Sequence, residues 1–159
     1  MERLSVDTSP TTETEGGASR RSLSDALGTA NLSLNRYRVS TGERMSLSRH
    51  AHTRQEEVFV VLAGEATFET RDSEVAVGER EAIRFGPGEF QRGRNDADED
   101  LLVLALGAPR EAGATLVSWT PELGEVGCPS CGRDAMRVDA TEDGPVLVCP
   151  DCGTEWDPN

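Results

Sequence analysis

An all-β fold carrying a small cysteine-bearing module at its C-terminal end is what this sequence predicts, on three observations. Between Asn31 and Trp119 the apolar residues fall in short runs separated by Gly-bearing turns, at the roughly 8–12-residue spacing of strands in a sandwich or barrel. Beyond Pro121 the composition shifts to Cys, Gly, Pro and Asp, and all four cysteines lie there in two C-P-x-C-G repeats. The longest apolar stretches, Val58 to Ala63 and Leu101 to Leu106, are six residues each, against the roughly 20 that a membrane-spanning helix needs.

Residues 1–29 are rich in Ser, Thr, Glu and Gly without apolar periodicity, which predicts a disordered leader with at most a weak helical turn at Ser22 to Leu27. Strands are expected at Leu32–Val39, Glu57–Leu62, Glu65–Thr70, Glu74–Val77, Ala82–Phe85, Leu101–Leu106 and Thr115–Trp119, giving a barrel over residues 30–120. Ala63-Gly64, Arg71-Asp72-Ser73 and Val77-Gly78-Glu79 supply turns between them. The run Val58 to Leu62 is apolar on both faces, so its outer side should be covered as well, by a homodimer partner or by the N-terminal segment. Residues 121–159 form the third unit, where Ala135–Val138 and Pro145–Val148 read as a hairpin joining the two cysteine repeats.

Charge narrows the partners. The 159 residues hold 16 Arg, no Lys and 29 acids, a net charge of −13, which repels phosphate backbones and anionic lipid heads. The last 39 residues carry two Arg against nine acids, so nucleic acid is not expected at the module where it would be the first guess. Heavy Asp and Glu use without Lys resembles proteins of salt-accumulating microbes, in which acidity serves solubility. Arg20-Arg21 lacks the apolar region of an export signal, and a cytoplasmic location follows as the expectation. In a reducing compartment the cysteines are free to bind metal.

The two histidines of the chain stand at His50 and His52, positions that share one face of a strand. Glu57 opens the next strand. Two imidazoles and one carboxylate make a site for Fe, Mn, Ni, Co or Zn, whereas the plain alternative is a surface pair beside Arg49 and Arg54. Cys128, Cys131, Cys149 and Cys152 place two thiols on each of two tight loops, a closed tetrahedral set for structural zinc, with a rubredoxin-type iron site or two local disulfides as the alternatives. A segment this short cannot bury enough apolar surface to fold alone, so its metal supplies the folding energy, and Trp156 should cap its small core.

Gly42…His50-x-His52-x4-Glu57-x6-Gly64 resembles the first motif of the cupin superfamily, and Gly78…Gly86-Pro87-Gly88-x2-Gln91-x3-Asn95 its second, over about residues 30–110. The resemblance implies a jelly-roll barrel with one divalent metal inside, held by His50, His52 and Glu57. Glu57 is preferred to Glu56 because it leaves the six-residue gap before Gly64, so Glu56 should face away. Gln91 stands where the family usually places its last His, as a fourth ligand, a group orienting a metal-bound water, or the mark of weakened affinity. Each motif also carries two more residues than usual after its first Gly, and Gly86 replaces a usual Pro. Residues 125–157 resemble a zinc ribbon, which can dock a protein partner. Arg36, Tyr37, Arg84, Arg92 and Arg94 are candidates for an anion-binding wall, or else ordinary surface charges paired with acids. The expected function is a metal-dependent cupin that binds or acts on a small molecule, as an oxygenase or isomerase type if it is an enzyme. The alternative is a non-catalytic ligand sensor that uses the ribbon as a docking surface.

Overall fold

In a computed structural model, which describes residues 1–142 and 144–156, the regular structure consists almost entirely of strands. In order these are β1 (Thr12–Glu13), β2 (Ser19–Ser22), the one-turn α1 (Ser24–Leu27), β3 (Ser33–Val39), β4 (Arg49–His52), β5 (Glu56–Ala63), β6 (Ala66–Glu69), β7 (Glu74–Val77) and β8 (Ala82–Phe85). They continue with β9 (Arg92–Arg94), β10 (Leu101–Ala108), β11 (Thr115–Thr120), β12 (Gly124–Glu125), β13 (Met136–Thr141), β14 (Gly144–Val148) and β15 (Glu155–Trp156). One sheet runs β1-β2-β3-β10-β5-β8, a smaller one β7-β6-β9, and a third β12-β11-β13-β14-β15 with β4 on the other edge of β11. All the strand pairs are antiparallel.

Alternation along the strands makes the interior. In β10 the residues Leu101, Val103 and Ala105 are buried while Leu102, Leu104 and Leu106 are only half-buried, so one face of the strand fills the barrel. Phe59, Phe68 and Phe85 meet there with ring centroids 5.0 to 6.1 Å apart, and Val39, Val61, Val77 and Ala66 complete the cluster. Gly64, with φ +80°, closes the β5–β6 turn, and a Cβ there would lie 2.9 Å from the Asp100 carbonyl oxygen, so only glycine fits.

Three expectations need correction. Residues 1–29 are not a disordered leader: β2 pairs with β3, Ala18 and Leu23 are buried, and β1–β2 forms a hairpin on the edge of the large sheet. A strand near a sheet edge draws on backbone hydrogen bonds and needs few apolar residues, and these the single buried Ala18 supplies without a visible hydrophobic run. The hairpin extends the sheet beyond β3 and does not cover β5, where Val58 and Val60 remain half-buried and Leu62 is 48% exposed. Finally, the division at residue 120 falls inside a continuous sheet, because β11 pairs with β4 of the barrel on one edge and with β13 of the cysteine-bearing hairpin on the other. That hairpin runs β13–β14, and residues 157–159 of the expected ribbon lie outside the described residues.

Candidate functional site

The strand β4 is short and polar on one side, and that side carries both histidines. Ala51 between them is buried, so parity turns His50 and His52 the same way, with ring centroids 5.2 Å apart. Both edges of the strand are tied. His50 exchanges backbone bonds with Gln91 (3.1 and 2.9 Å), the Gly88 N–H donates to the His52 carbonyl, and β11 pairs along the opposite edge. Glu57 enters from β5, where it pairs with Phe85 of β8 and Gly107 of β10. Its neighbour Glu56 points the other way, to an ion pair with Arg84 at 2.7 Å.

Ligand atoms of His50, His52 and Glu57 lie within 4.8 Å of one another, close enough to share one ion. His50 Nδ1 is 3.1 Å from the Ser48 carbonyl and 3.2 Å from Ser46 Oγ, so its proton sits on Nδ1 and bare Nε2 faces the site. Thr115 Oγ1 holds His52 Nδ1 at 3.5 Å, and His52 Nε2 is 3.7 Å from Glu57 Oε2. Gln91 is buried, and its amide N–H donates to Glu57 Oε2 at 3.2 Å, with His50 Nε2 3.5 Å away. In this orientation Gln91 steadies the carboxylate, and half a turn of its amide would present the oxygen instead. Two neutral nitrogens and a carboxylate oxygen, each fixed by a bond behind it, fit a divalent transition metal.

Without an ion the pocket disfavours charge. Burial, with His50 adding to it, lowers the His52 pKa to about 4, and burial lowers that of His50 against the pull of the Ser48 carbonyl. Burial raises Glu57 to about 7, partly offset by the Gln91 N–H. The close His52–Glu57 contact is therefore between neutral groups from about pH 4 to about pH 7, not an ion pair. A carboxyl whose folded pKa lies above its unfolded value costs stability as pH rises through the interval between them. In metal-free protein, Glu57→Gln is expected to gain stability over wild type as pH goes from 5 to 8, by up to ~3 kcal/mol. Paired thermal melts across that range, parallel at all pH values, would contradict the buried placement of Glu57. His52 works in the opposite sense, losing stability as pH falls from 6.5 towards 4, but it does so in both proteins and cancels.

The anion-wall candidates separate cleanly. Arg84 pairs with Glu56, Arg92 with Glu69 and Arg94 with Glu74 and Asp96 at 2.9 and 2.8 Å, while Arg36 on the outer face is 3.9 Å from Asp7. Only Tyr37 faces the interior, packed against the barrel core.

The four cysteines gather at the other end of the β11 sheet. Cys128 Sγ lies 3.6 Å from Cys152 Sγ, and Cys131 Sγ 3.6 Å from Cys149 Sγ. These separations are too long for disulfides of about 2.05 Å and close to the ~3.8 Å edge of a tetrahedron with 2.3 Å metal–sulfur bonds. Both loops share one design. The N–H groups of Gly132 and Gly153 (φ +76° and +73°) close onto the carbonyls of Cys128 and Cys149. Thr154 holds the Cys152 thiol well below its ordinary value. Behind the cluster Val117, Val126, Met136 and Leu147 form a small core, with Trp156 packed against it.

Sequence reasoning missed Arg20. It lies in the stretch expected to be a disordered leader, yet β2 places it directly beside Tyr37 of β3 on the face that also carries buried Ala18. The alternation Ala18-x-Arg20-x-Ser22 was the available sign.

Residues 35–107 match the family model for the cupin domain. A sugar phosphate isomerase of the cupin superfamily from Silicibacter pomeroyi is 19% identical, with 95% of this chain and 94% of that one superposed at a TM-score of 0.67. A candidate sugar phosphate isomerase from Acidithiobacillus ferrooxidans is 17% identical over 98% and 97% of the two chains, at 0.68. A double-stranded β-helix protein from Klebsiella pneumoniae is 19% identical over 74% of this chain and 96% of its own, at 0.60. No curated protein matches the sequence. Among the described residues no helix is long and apolar enough to cross a membrane. The motif, the barrel and these likenesses agree that the chain has a cupin fold, with a cupin domain at residues 35–107 and a four-cysteine cluster at its C-terminal end.

Proposed function

We propose that this chain is a metal-dependent cupin that binds and transforms a small molecule at a mononuclear centre held by His50, His52 and Glu57, and that the cysteine cluster holds a structural zinc. The observation that carries the reading is the convergence of three ligand atoms within 4.8 Å, backed by Ser48, Thr115 and Gln91 behind them. Three donors leave coordination positions open, and a divalent ion bound there would polarise a carbonyl or hydroxyl of the substrate. The protein's part is to fix that ion: the Ser48 carbonyl sets the tautomer of His50, and the Gln91 amide orients the Glu57 carboxylate. Two structures similar over most of this chain carry the name of sugar phosphate isomerases, which makes phosphorylated sugars the first substrates to try.

The test is elemental analysis of protein purified without added metal. Wild type is expected to hold two ions per chain and His52→Ala one, the zinc of the cysteine site, with a 10- to 100-fold weaker hold on metal in Gln91→Ala. Equal metal in His52→Ala and wild type would overturn the barrel centre. Wild type holding only the cysteine-bound ion, and binding sugar phosphates without turnover, would favour a non-catalytic sensor.

A further inference from the structure

Most of the barrel's arginines are paired with acids, Arg44 and Arg54 being exceptions among the described residues. Arg36, Arg38, Arg49, Arg84, Arg92 and Arg94 each have a carboxylate within ion-pair distance. Arg20 has none among the described residues, although it sits on β2 where Asp and Glu are plentiful in the neighbouring sequence. Its register partner is Tyr37, and Tyr37 is packed against the barrel core. Successive positions on one face of β2 and β3 run from Ala18 and Val39, both wholly buried, to Arg20 and Tyr37 and then to Ser22 and Asn35. Arg20 itself is solvent-exposed, so this row leads from the interior out to water. Tyr37 is close enough to respond to both ends of it. Burial raises its pKa most, the Arg20 guanidinium pulls it down, and the charge of Glu57 pushes it up.

We propose that Arg20 and Tyr37 form an oxyanion-binding subsite on the solvent side of the barrel interior, which takes the phosphate or carboxylate of a substrate whose other end reaches the His50–His52–Glu57 centre. This deepens the metal-dependent reading above and rests on it for the second half of the statement. An unpaired guanidinium offers a planar fork of donors matched to such a group, and a phenol beside it adds a third donor. The subsite also answers a charge problem. A chain with a net charge of −13 repels anionic ligands in general, and a cation without a carboxylate partner beside a half-buried phenol gives such a ligand a place to settle. It further explains why the N-terminal hairpin is built into the large sheet, since the barrel strands alone would leave Tyr37 without a cation.

Tyr37 is the only tyrosine, so 13Cζ-tyrosine labelling gives one NMR resonance at the subsite. In zinc-loaded protein, inorganic phosphate is expected to shift that resonance saturably. Arg20→Gln should weaken the phosphate affinity at least about tenfold and Arg20→Lys less, with metal content unchanged in both. Acetate in a parallel titration tells a carboxylate site from a phosphate site, and a saturable, Arg20-dependent shift with either anion supports the proposal. An identical titration in wild type and Arg20→Gln, or no saturable shift in wild type with either anion, would overturn it. Neither residue is a candidate metal ligand, so the same shift is expected in metal-free protein. Loss of the barrel metal and loss of the Arg20-dependent shift are thus read separately, the first against the metal centre and the second against the subsite.

Discussion

Replacing Cys149 by Ser is expected to release one metal ion per chain, unfold the β13–β14 hairpin and weaken the barrel's own hold on metal. Cys149 is 1% exposed and faces Cys131 at 3.6 Å, so its loss removes a ligand from the inside of the cluster. Little else holds this region together. Among the described residues its apolar core is six buried residues, of which two are cysteines and a third, Val117, is borrowed from β11. Structural zinc contributes about 10–16 kcal/mol to modules of this kind, more than such a core can replace. The consequence does not stop there. Val117 pairs with Met136 on one edge and with His50 on the other, so β11 is the one strand between the hairpin and the histidines. Unpairing β13 turns β11 into an edge strand and loosens the strand on which His50 and His52 are mounted. Hydrogen exchange should show amides of β13 and β14 unprotected and those of β3, β5 and β10 unchanged, with barrel-metal affinity down by about tenfold, a coupling of ~1.4 kcal/mol. Full protection at Val138 and Leu147 in the variant would refute the dependence on metal, and unchanged barrel affinity would refute the transmission through β11.

What the sequence makes legible here is whatever has a short period. His50 and His52 stand two apart, Glu57 is distinguished from Glu56 by the six-residue gap before Gly64 that the cupin resemblance implies, and each cysteine pair repeats one five-residue pattern, so both candidate centres can be read without coordinates. The strands of the barrel centre are legible for the same reason, because one buried face imposes alternation on Phe59 and Val61 and on Leu101, Val103 and Ala105. What escapes is held by backbone bonds or by partners distant in sequence. The hairpin β1–β2 is polar because an edge strand can be, and β9 is hidden because two of its three residues are arginines whose charges are neutralised only in three dimensions. Arg49 is the sharpest case. It reads as a surface charge beside the histidines, yet it is 7% exposed and bonds to Ser118, Glu69 and Glu125, which lie 69, 20 and 76 residues away.

That buried network carries the second large effect. Glu69 of β6 accepts from Arg49 at 3.3 Å and from Arg92, and Arg94 lies 3.7 Å away, so one carboxylate compensates three guanidinium groups. The side chains of Arg49 and Arg92 are 8% and 10% exposed, and Arg92 is stacked on Trp119 with its guanidinium carbon 4.0 Å from the ring centroid. Removing the shared acceptor leaves these cations buried without a counter-charge, which is far costlier than losing an exposed ion pair. Arg49 retains Glu125 at 2.7 Å, whereas Arg92 retains only the Leu47 carbonyl at 3.4 Å, so Arg92 bears most of the penalty. Glu69→Ala is expected to cost roughly 3 kcal/mol, the lower end of the range for a broken buried pair because the Glu69 side chain keeps 18% exposure. Removing the stranded cation as well should restore part of the loss, making Glu69→Ala with Arg92→Met more stable than Glu69→Ala alone. Urea unfolding followed by the fluorescence of Trp119, with Trp156 replaced by Phe in every protein, reads both quantities. A loss below ~1 kcal/mol, or a double variant that is merely additive, would mean that water reaches these arginines and that β4 and β11 are joined by their backbone alone.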